Sequence, residues 1–172
     1  VYKRQLLDLT TALQKRFIDR QHGVMMEKPL GAVDNWFEPG HQFEWFFLLE
    51  SSPVLRGTPL HASLTRAFAY AEQKGVDKLS GAVSGMLSLD GSVRDATQRI
   101  WAQAEYLRAL TLRPGSEAVL QRQLLALQEH FLHDRGWHEC LDANGAVSRR
   151  DMPSTTPYHL ATCYQGLIQH LR

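Results

Sequence analysis

Two short stretches place imidazoles where proton transfer is easy to arrange. Glu38-Pro39-Gly40-His41-Gln42-Phe43-Glu44-Trp45 sets a histidine and a carboxylate three residues apart, just where a helix begins. Pro153-Ser154-Thr155-Thr156-Pro157-Tyr158-His159-Leu160 repeats the device, with a turn-forming proline, hydroxyls able to cap a helix, and then a histidine. Imidazole has the unperturbed pKa closest to neutral, so two of them suit proton transfer in both directions on one small substrate. Helix positions i and i+3 share a face, so His41 and Glu44 project together. The carboxylate there would orient the imidazole, choose its tautomer or bind a substrate hydroxyl. The positive end of the helix favours a neutral His41, ready to accept a proton. A plainer reading stands beside this one: His41 buried and hydrogen-bonded, Glu44 paired with an arginine, and His159 structural.

A third cluster is Arg99-Ile100-Trp101-Ala102-Gln103-Ala104-Glu105. Trp101 and Glu105 lie one helical turn apart, an aromatic face beside a carboxylate, the combination that stacks on a sugar ring and bonds its hydroxyls. A core tryptophan next to a surface glutamate is the ordinary alternative. Trp137 and Glu139 fall on one face of an extended segment, whereas Asp142 and Asn144 belong to a turn. His22, His61, His130, His133, His138 and His170 lack a comparable context. His130 and His133 are three apart on a helix but have no clear third ligand, so no metal is expected. No glycine-rich phosphate loop and no nucleophile turn is present, so no cofactor is expected.

The elements that must position these residues follow from apolar periodicity. A first helix is expected over about Tyr2 to Asp19, with Leu6, Leu7, Leu9, Leu13 and Phe17 at helical spacing. Gln21 to Phe37 breaks into a long irregular connection, a length usually functional in a compact domain. A second helix, Gly40 to about Glu50, is apolar nearly all round and therefore buried on most sides. A third runs from Pro59 to Lys74-Gly75. Ser80 to Gly91 alternates and ends in Asp90-Gly91, a hairpin signal. Further helices are expected over Val93 to Leu112, Ser116 to Leu132 and Thr156 to the end, with a second hairpin across Trp137 to Arg150. The two hairpins flanked by helices suggest an internally repeated, mostly helical architecture.

The chain has 172 residues, enough for one domain that buries roughly two-thirds of its unfolded surface. Nineteen Lys and Arg against eighteen Asp and Glu give a net charge of +1, with no basic stripe, which argues against nucleic acid as a partner. The longest apolar run, Trp45 to Leu49, is far too short to span a bilayer, so a soluble protein without membrane association is expected. No signal peptide is visible, and two isolated cysteines, Cys140 and Cys163, fit a reduced, cytoplasmic setting. The first residue is not methionine, a hint that the chain does not begin at a natural start.

Taken together, Glu38-Pro39-Gly40-His41-x-x-Glu44-Trp45, Arg99-x-Trp101-x-Gln103-x-Glu105, Gly136-Trp137-x-Glu139-x-Leu141-Asp142-x-x-Gly145 and Pro153-x-x-Thr156-Pro157-Tyr158-His159-Leu160 resemble the N-acylglucosamine 2-epimerase superfamily. The ending Thr-Pro-Tyr-His-Leu is most similar to its mannose isomerase branch. The resemblance implies an all-α fold, part of an (α/α)6 barrel with short β-hairpin insertions. Residues 1–172 would be the C-terminal half of the catalytic barrel. It implies His41 and His159 as the acid/base pair with Glu44 assisting His41. Trp101, Glu105, Trp45 and Trp137 would then contact substrate. Ala102 and Ala104 depart from the proline and threonine usual there. The substrate implied is a monosaccharide or small oligosaccharide, and a homo-oligomer is compatible.

The implied reaction is aldose–ketose isomerisation through a cis-enediolate, with 2-epimerisation as its close alternative. Two other readings remain. One is a glycoside hydrolase using Glu44 and Glu105 as acid and base, which requires carboxyl groups at cleavage separations. The other is a carbohydrate-binding half-barrel without turnover. Arginines for an anionic sugar are expected from outside this chain.

Overall fold

The computed structural model describes residues 2–171. Among the described residues six helices form, one within each stretch the apolar patterns mark: α1 (Tyr2–Arg16), α2 (Pro39–Ser51), α3 (Pro59–Gly75), α4 (Ile100–Leu110), α5 (Glu117–Phe131) and α6 (Thr156–His170), with α1 and α4 shorter than expected. Proline opens α2 and α3 and lies in the first turn of α6, where its fixed φ suits the helix and its missing N–H is not needed. Thr58 Oγ1 caps α3 by accepting the His61 N–H at 3.2 Å.

The helices alternate between two layers. α2, α4 and α6 lie side by side in that order, while α3 packs on α2, α5 on α4, and α1 on α3. α4 is the centre of this arrangement, and all of its residues except Trp101 are buried. The core between layers is aromatic: the Phe43 ring lies 5.2 Å from Phe68 and 4.6 Å from Tyr106. α2 is buried through Phe43, Phe46 and Leu49 but leaves Leu48 exposed. α1 ends at Arg16 rather than Asp19, because Ile18 turns away to pair with Met25. Its leucines at 6, 7 and 9 are exposed, so only Leu13 and Phe17 of the expected stripe join the core.

Short strands tie the helices together at one end. Strand β1 (Met86–Leu87) pairs antiparallel with β2 (Val93–Asp95) around Asp90-Gly91, with Gly91 at φ 85°. The hairpin thus extends past the expected Ser80–Gly91 segment, and residues 93–99 are not helical. The local hairpin with Met86–Leu87 and the long-range pairing with Cys140–Leu141 override the local helical pattern there. β3 (Gln98–Arg99) pairs with β6 (Cys140–Leu141), which pairs with β7 (Val147–Arg149) across the expected turn. In that turn Asp142 Oδ1 accepts the N–H groups of Asn144 and Ala146 at 2.8 and 2.9 Å. β4 (Leu132–His133) and β5 (Gly136–Trp137) form a small hairpin that the sequence pattern did not reveal. The fold is mostly helical with small antiparallel sheets. No described helix is long and apolar enough to cross a membrane.

Candidate active site

The starts of α2, α4 and α6 meet. His41 is the third residue of α2, Trp101 the second of α4 and His159 the fourth of α6. Both imidazoles pack near the Trp101 ring, its centroid 5.0 Å from His41 and 5.3 Å from His159. Gly40 permits this approach, because a Cβ there would lie 2.6 Å from the Trp101 ring. These three side chains line a pocket of about 500 Å³ together with Asp95, Arg99, Glu139 and Arg149.

Each imidazole is anchored through Nδ1. His41 Nδ1 bonds Glu27 Oε1 at 2.9 Å, and the same oxygen accepts the Glu38 N–H at 3.3 Å. Glu27 comes from the long 17–38 connection, which is held in place by Gln42. That fully buried side chain accepts the Met25 N–H at 2.8 Å and donates to the Met25 carbonyl at 2.9 Å. His159 Nδ1 bonds Glu105 Oε1 at 2.6 Å. Glu105 is fully buried and pairs with Arg108, itself buried and stacked 4.4 Å over the Phe47 ring. With a carboxylate on each Nδ1, a neutral ring carries its proton there and leaves Nε2 as the basic atom. Among the described residues neither Nε2 has a protein partner.

Glu44 does not hold His41, contrary to the helical-face argument; Glu27 does. Glu44 instead lies toward α4 and α6, where its carboxylate clusters with Glu105 and His159 within 4.8 Å and approaches Arg108 at 4.0 Å. Burial and the neighbouring Glu105 charge raise the Glu44 pKa above the usual carboxylate value. Glu38 is likewise raised, by burial first and then by the Glu27 charge. His41 also departs from expectation. Burial disfavours its cation, but the hydrogen bond and charge of Glu27, with Glu38 and Glu44, outweigh it and raise the pKa. Three nearby carboxylates therefore overcome the helix end.

Of the remaining candidates, Glu105 supports His159 from behind and does not line the pocket. Trp45 packs against the core, and Trp137 donates Nε1–H to Glu139 at 3.1 Å; neither lines the pocket. No hydroxyl of Ser154, Thr155 or Thr156 caps α6. Thr156 Oγ1 donates to Glu139 Oε2 at 2.9 Å instead. The sequence reading missed Glu27, Arg108 and Arg149, and gave no role to Arg99. Only the unusual length of the 17–38 connection hinted at Glu27. Two clusters, Glu27–Glu38–His41 and Glu44–Glu105–His159, have ligand atoms close enough to hold a cation. In the second, the Arg108 guanidinium already balances the charge. A glycosidase role for Glu44 and Glu105 fails on burial, since Glu105 cannot touch a glycosidic oxygen.

The helical scaffold thus brings two carboxylate-anchored imidazoles and an indole to one pocket. The chain belongs to the N-acylglucosamine 2-epimerase (GlcNAc 2-epimerase) family, whose model matches residues 2–163. It is 33% identical over 165 residues to the mannose-6-phosphate isomerase of Rhizobium meliloti (strain 1021), covering 84% of this chain and 42% of that protein. It is 31% identical over 145 residues to the D-mannose isomerase of Marinomonas mediterranea, covering 76% and 36%. The cellobiose 2-epimerase structure from Bacillus thermoamylovorans B4167 superposes with a TM-score of 0.78 over 97% of this chain and 47% of that one, at 19% identity. This last likeness is one of fold. The chain therefore spans well under half the length of the curated relatives it matches.

Proposed function

We propose that the whole protein is a sugar isomerase of the mannose/fructose type and that this chain supplies the C-terminal half of its (α/α)6 barrel. In that barrel α2, α4 and α6 are inner helices and α1, α3 and α5 outer ones, as their two-layer packing supports. The observation that carries the function is the pair of imidazoles on one pocket, each fixed through Nδ1 and free at Nε2.

The carbonyl of an open-chain aldose acidifies the C2 hydrogen. One Nε2 removes that proton, the electron pair moves into the C1–C2 bond, and a cis-enediolate forms. Returning a proton to C1 gives the ketose. Each such acid–base step contributes about 10²- to 10⁴-fold. Glu105 and Glu27 act as positioning residues that steady the imidazoles through Nδ1, and Glu27 also favours the His41 cation. The O2 hydroxyl proton passes to O1 as the ketose forms; Glu44, which does not line the pocket but clusters with Glu105 and His159, acts through His159. The Trp101 face packs against the C–H surface of the chain. The step needs neither metal nor nucleotide, because the carbonyl itself activates the hydrogen. Free, buried Cys140 and Cys163 suit a cytoplasmic location.

One observation favours a second reading, 2-epimerisation. Two separate imidazoles line the one pocket beside Trp101, and two bases also suit return of the proton to C2 from the opposite face. Incubating the full-length protein with mannose in deuterated water separates the outcomes. Deuterium at C1 of fructose supports isomerisation, deuterium at C2 of an aldose supports epimerisation, and no exchange rejects both. His41→Asn and His159→Asn should each abolish exchange; unchanged exchange in either removes that histidine from the mechanism.

A further inference from the structure

The pocket has a second chemical face that the acid–base mechanism does not use. Arg99 on β3 pairs with Cys140 on β6, and Cys140 pairs with Arg149 on β7. Residues directly opposite in antiparallel strands project to the same side of the sheet, about 5 Å from one another. Two guanidiniums therefore stand on either side of one short, buried thiol, and all three residues line the cavity that contains His41 and His159. The small Cys140 side chain leaves the space between the longer arginines open.

The charges around this row leave the arginines available. Among the described residues, Arg99 is half-buried and has no carboxylate within ion-pair distance. Arg149 is forked onto Asp151 at 2.6 and 2.7 Å, but both side chains are more than half exposed, so that pair is weak and easily exchanged. The carboxylates that also line the pocket already have partners. Asp95 Oδ1 accepts the Thr97 N–H at 2.8 Å, and Glu139 accepts from Thr156 and Trp137.

We infer that Arg99 and Arg149 form a subsite for a phosphate monoester on the sugar, remote from the carbons that exchange hydrogen. This rests on the isomerase/epimerase reading of the same pocket. A phosphate monoester carries nearly two negative charges near neutral pH and three acceptor oxygens, which matches two forked guanidiniums better than a neutral hydroxyl does. The arginines needed for an anionic substrate are thus supplied by this chain, contrary to the expectation that they lie elsewhere. The substrate class becomes a phosphorylated hexose.

The test compares mannose with mannose 6-phosphate as substrates of the full-length protein, followed by exchange in deuterated water. The expected kcat/KM is about tenfold or more higher for the phosphorylated sugar, with competitive inhibition by inorganic phosphate. Arg99→Gln and the exposed Arg149→Gln should each lower the ratio of the two kcat/KM values about tenfold, chiefly through KM of the phosphorylated sugar. Arg99→Lys, which keeps the charge but loses the fork, should fall between. Turnover of mannose with no preference for its phosphate, or a preference unmoved by both Gln variants, overturns the subsite and leaves the isomerase reading standing. If neither sugar is turned over, that reading fails, and calorimetric binding of mannose 6-phosphate decides the subsite alone. Binding weakened about tenfold in both variants supports it, and equal binding in wild type and variants refutes it.

Discussion

Glu27→Gln separates the charge that faces His41 from the shape that holds it. The amide keeps an oxygen able to accept the Nδ1–H but carries no charge. A hydrogen bond to a charged partner contributes about 1.5–3 kcal/mol. The His41 side chain is 38% exposed and that of Glu27 22%, so solvent screening places this pair at the lower end, about 1.5 kcal/mol. That is roughly a tenfold change in an equilibrium constant. Burial is the largest single influence on His41 and disfavours its cation; without Glu27 only Glu38 and Glu44 oppose it, so the pKa falls. Because the folded pKa of His41 is raised, the pair's stabilisation is fully present below the unfolded value of about 6.5 and is lost as pH rises through the folded value. Urea unfolding at pH 5.5 should therefore show the variant about 1.5 kcal/mol less stable, with the gap shrinking at pH 9. Titration of the His41 ring proton by NMR should move to lower pH, and the acid limb of kcat/KM should move with it. An unmoved His41 titration, or a stability gap that widens with pH, refutes the argument.

Two further substitutions probe the rest of the site. Gly40→Ala adds a Cβ at 2.6 Å from the Trp101 ring and 2.9 Å from the Ala102 methyl, so the indole must shift by about 1 Å from normal contact. Overpacking of this kind costs about 1–3 kcal/mol, and the displaced ring should alter tryptophan emission; a variant with unchanged melting and emission would contradict the packing. Glu105→Gln leaves buried Arg108 with only the Glu44 carboxylate, 4.0 Å away, and should destabilise by about 3 kcal/mol in urea melts. Adding Arg108→Met should recover part of that loss, whereas simple additivity of the two changes would count against the pairing.

How much of the molecule the sequence revealed depended on the range of the interactions involved. The helices around Phe43, Leu64, Leu107 and Leu127 could be read directly, because amphipathic spacing and an initial proline act within a few residues. His41 and His159 stood out for the same reason: each follows a helix-opening proline that fixes its place in the first turn. Trp101 stood out only by its one-turn spacing to Glu105; its place in a first turn came from the structure, which opens α4 at Ile100 rather than Val93. The extent of the first hairpin was not legible. Residues 93–99 look helical locally, but residues 93–95 close a tight hairpin on Met86 and Leu87, and residues 98–99 pair with Cys140 and Leu141, distant in the chain.

The carboxylate partners were the other blind spot. Helical geometry offered Glu44 to His41, but the ring turned to Glu27, fourteen residues earlier and carried on a loop with no period to read. Arg108 passed unnoticed because a charge on a helix ordinarily points to water; here it lies under α2 and α6, neutralising Glu105. The sequence by itself determined that the helices exist, the histidines at the starts of α2 and α6, and the motifs that carry the family resemblance. The tertiary structure alone decided which carboxylate holds which imidazole and which arginines face the pocket, because hydrogen bonds and ion pairs act over a few ångströms of space whatever their separation along the chain.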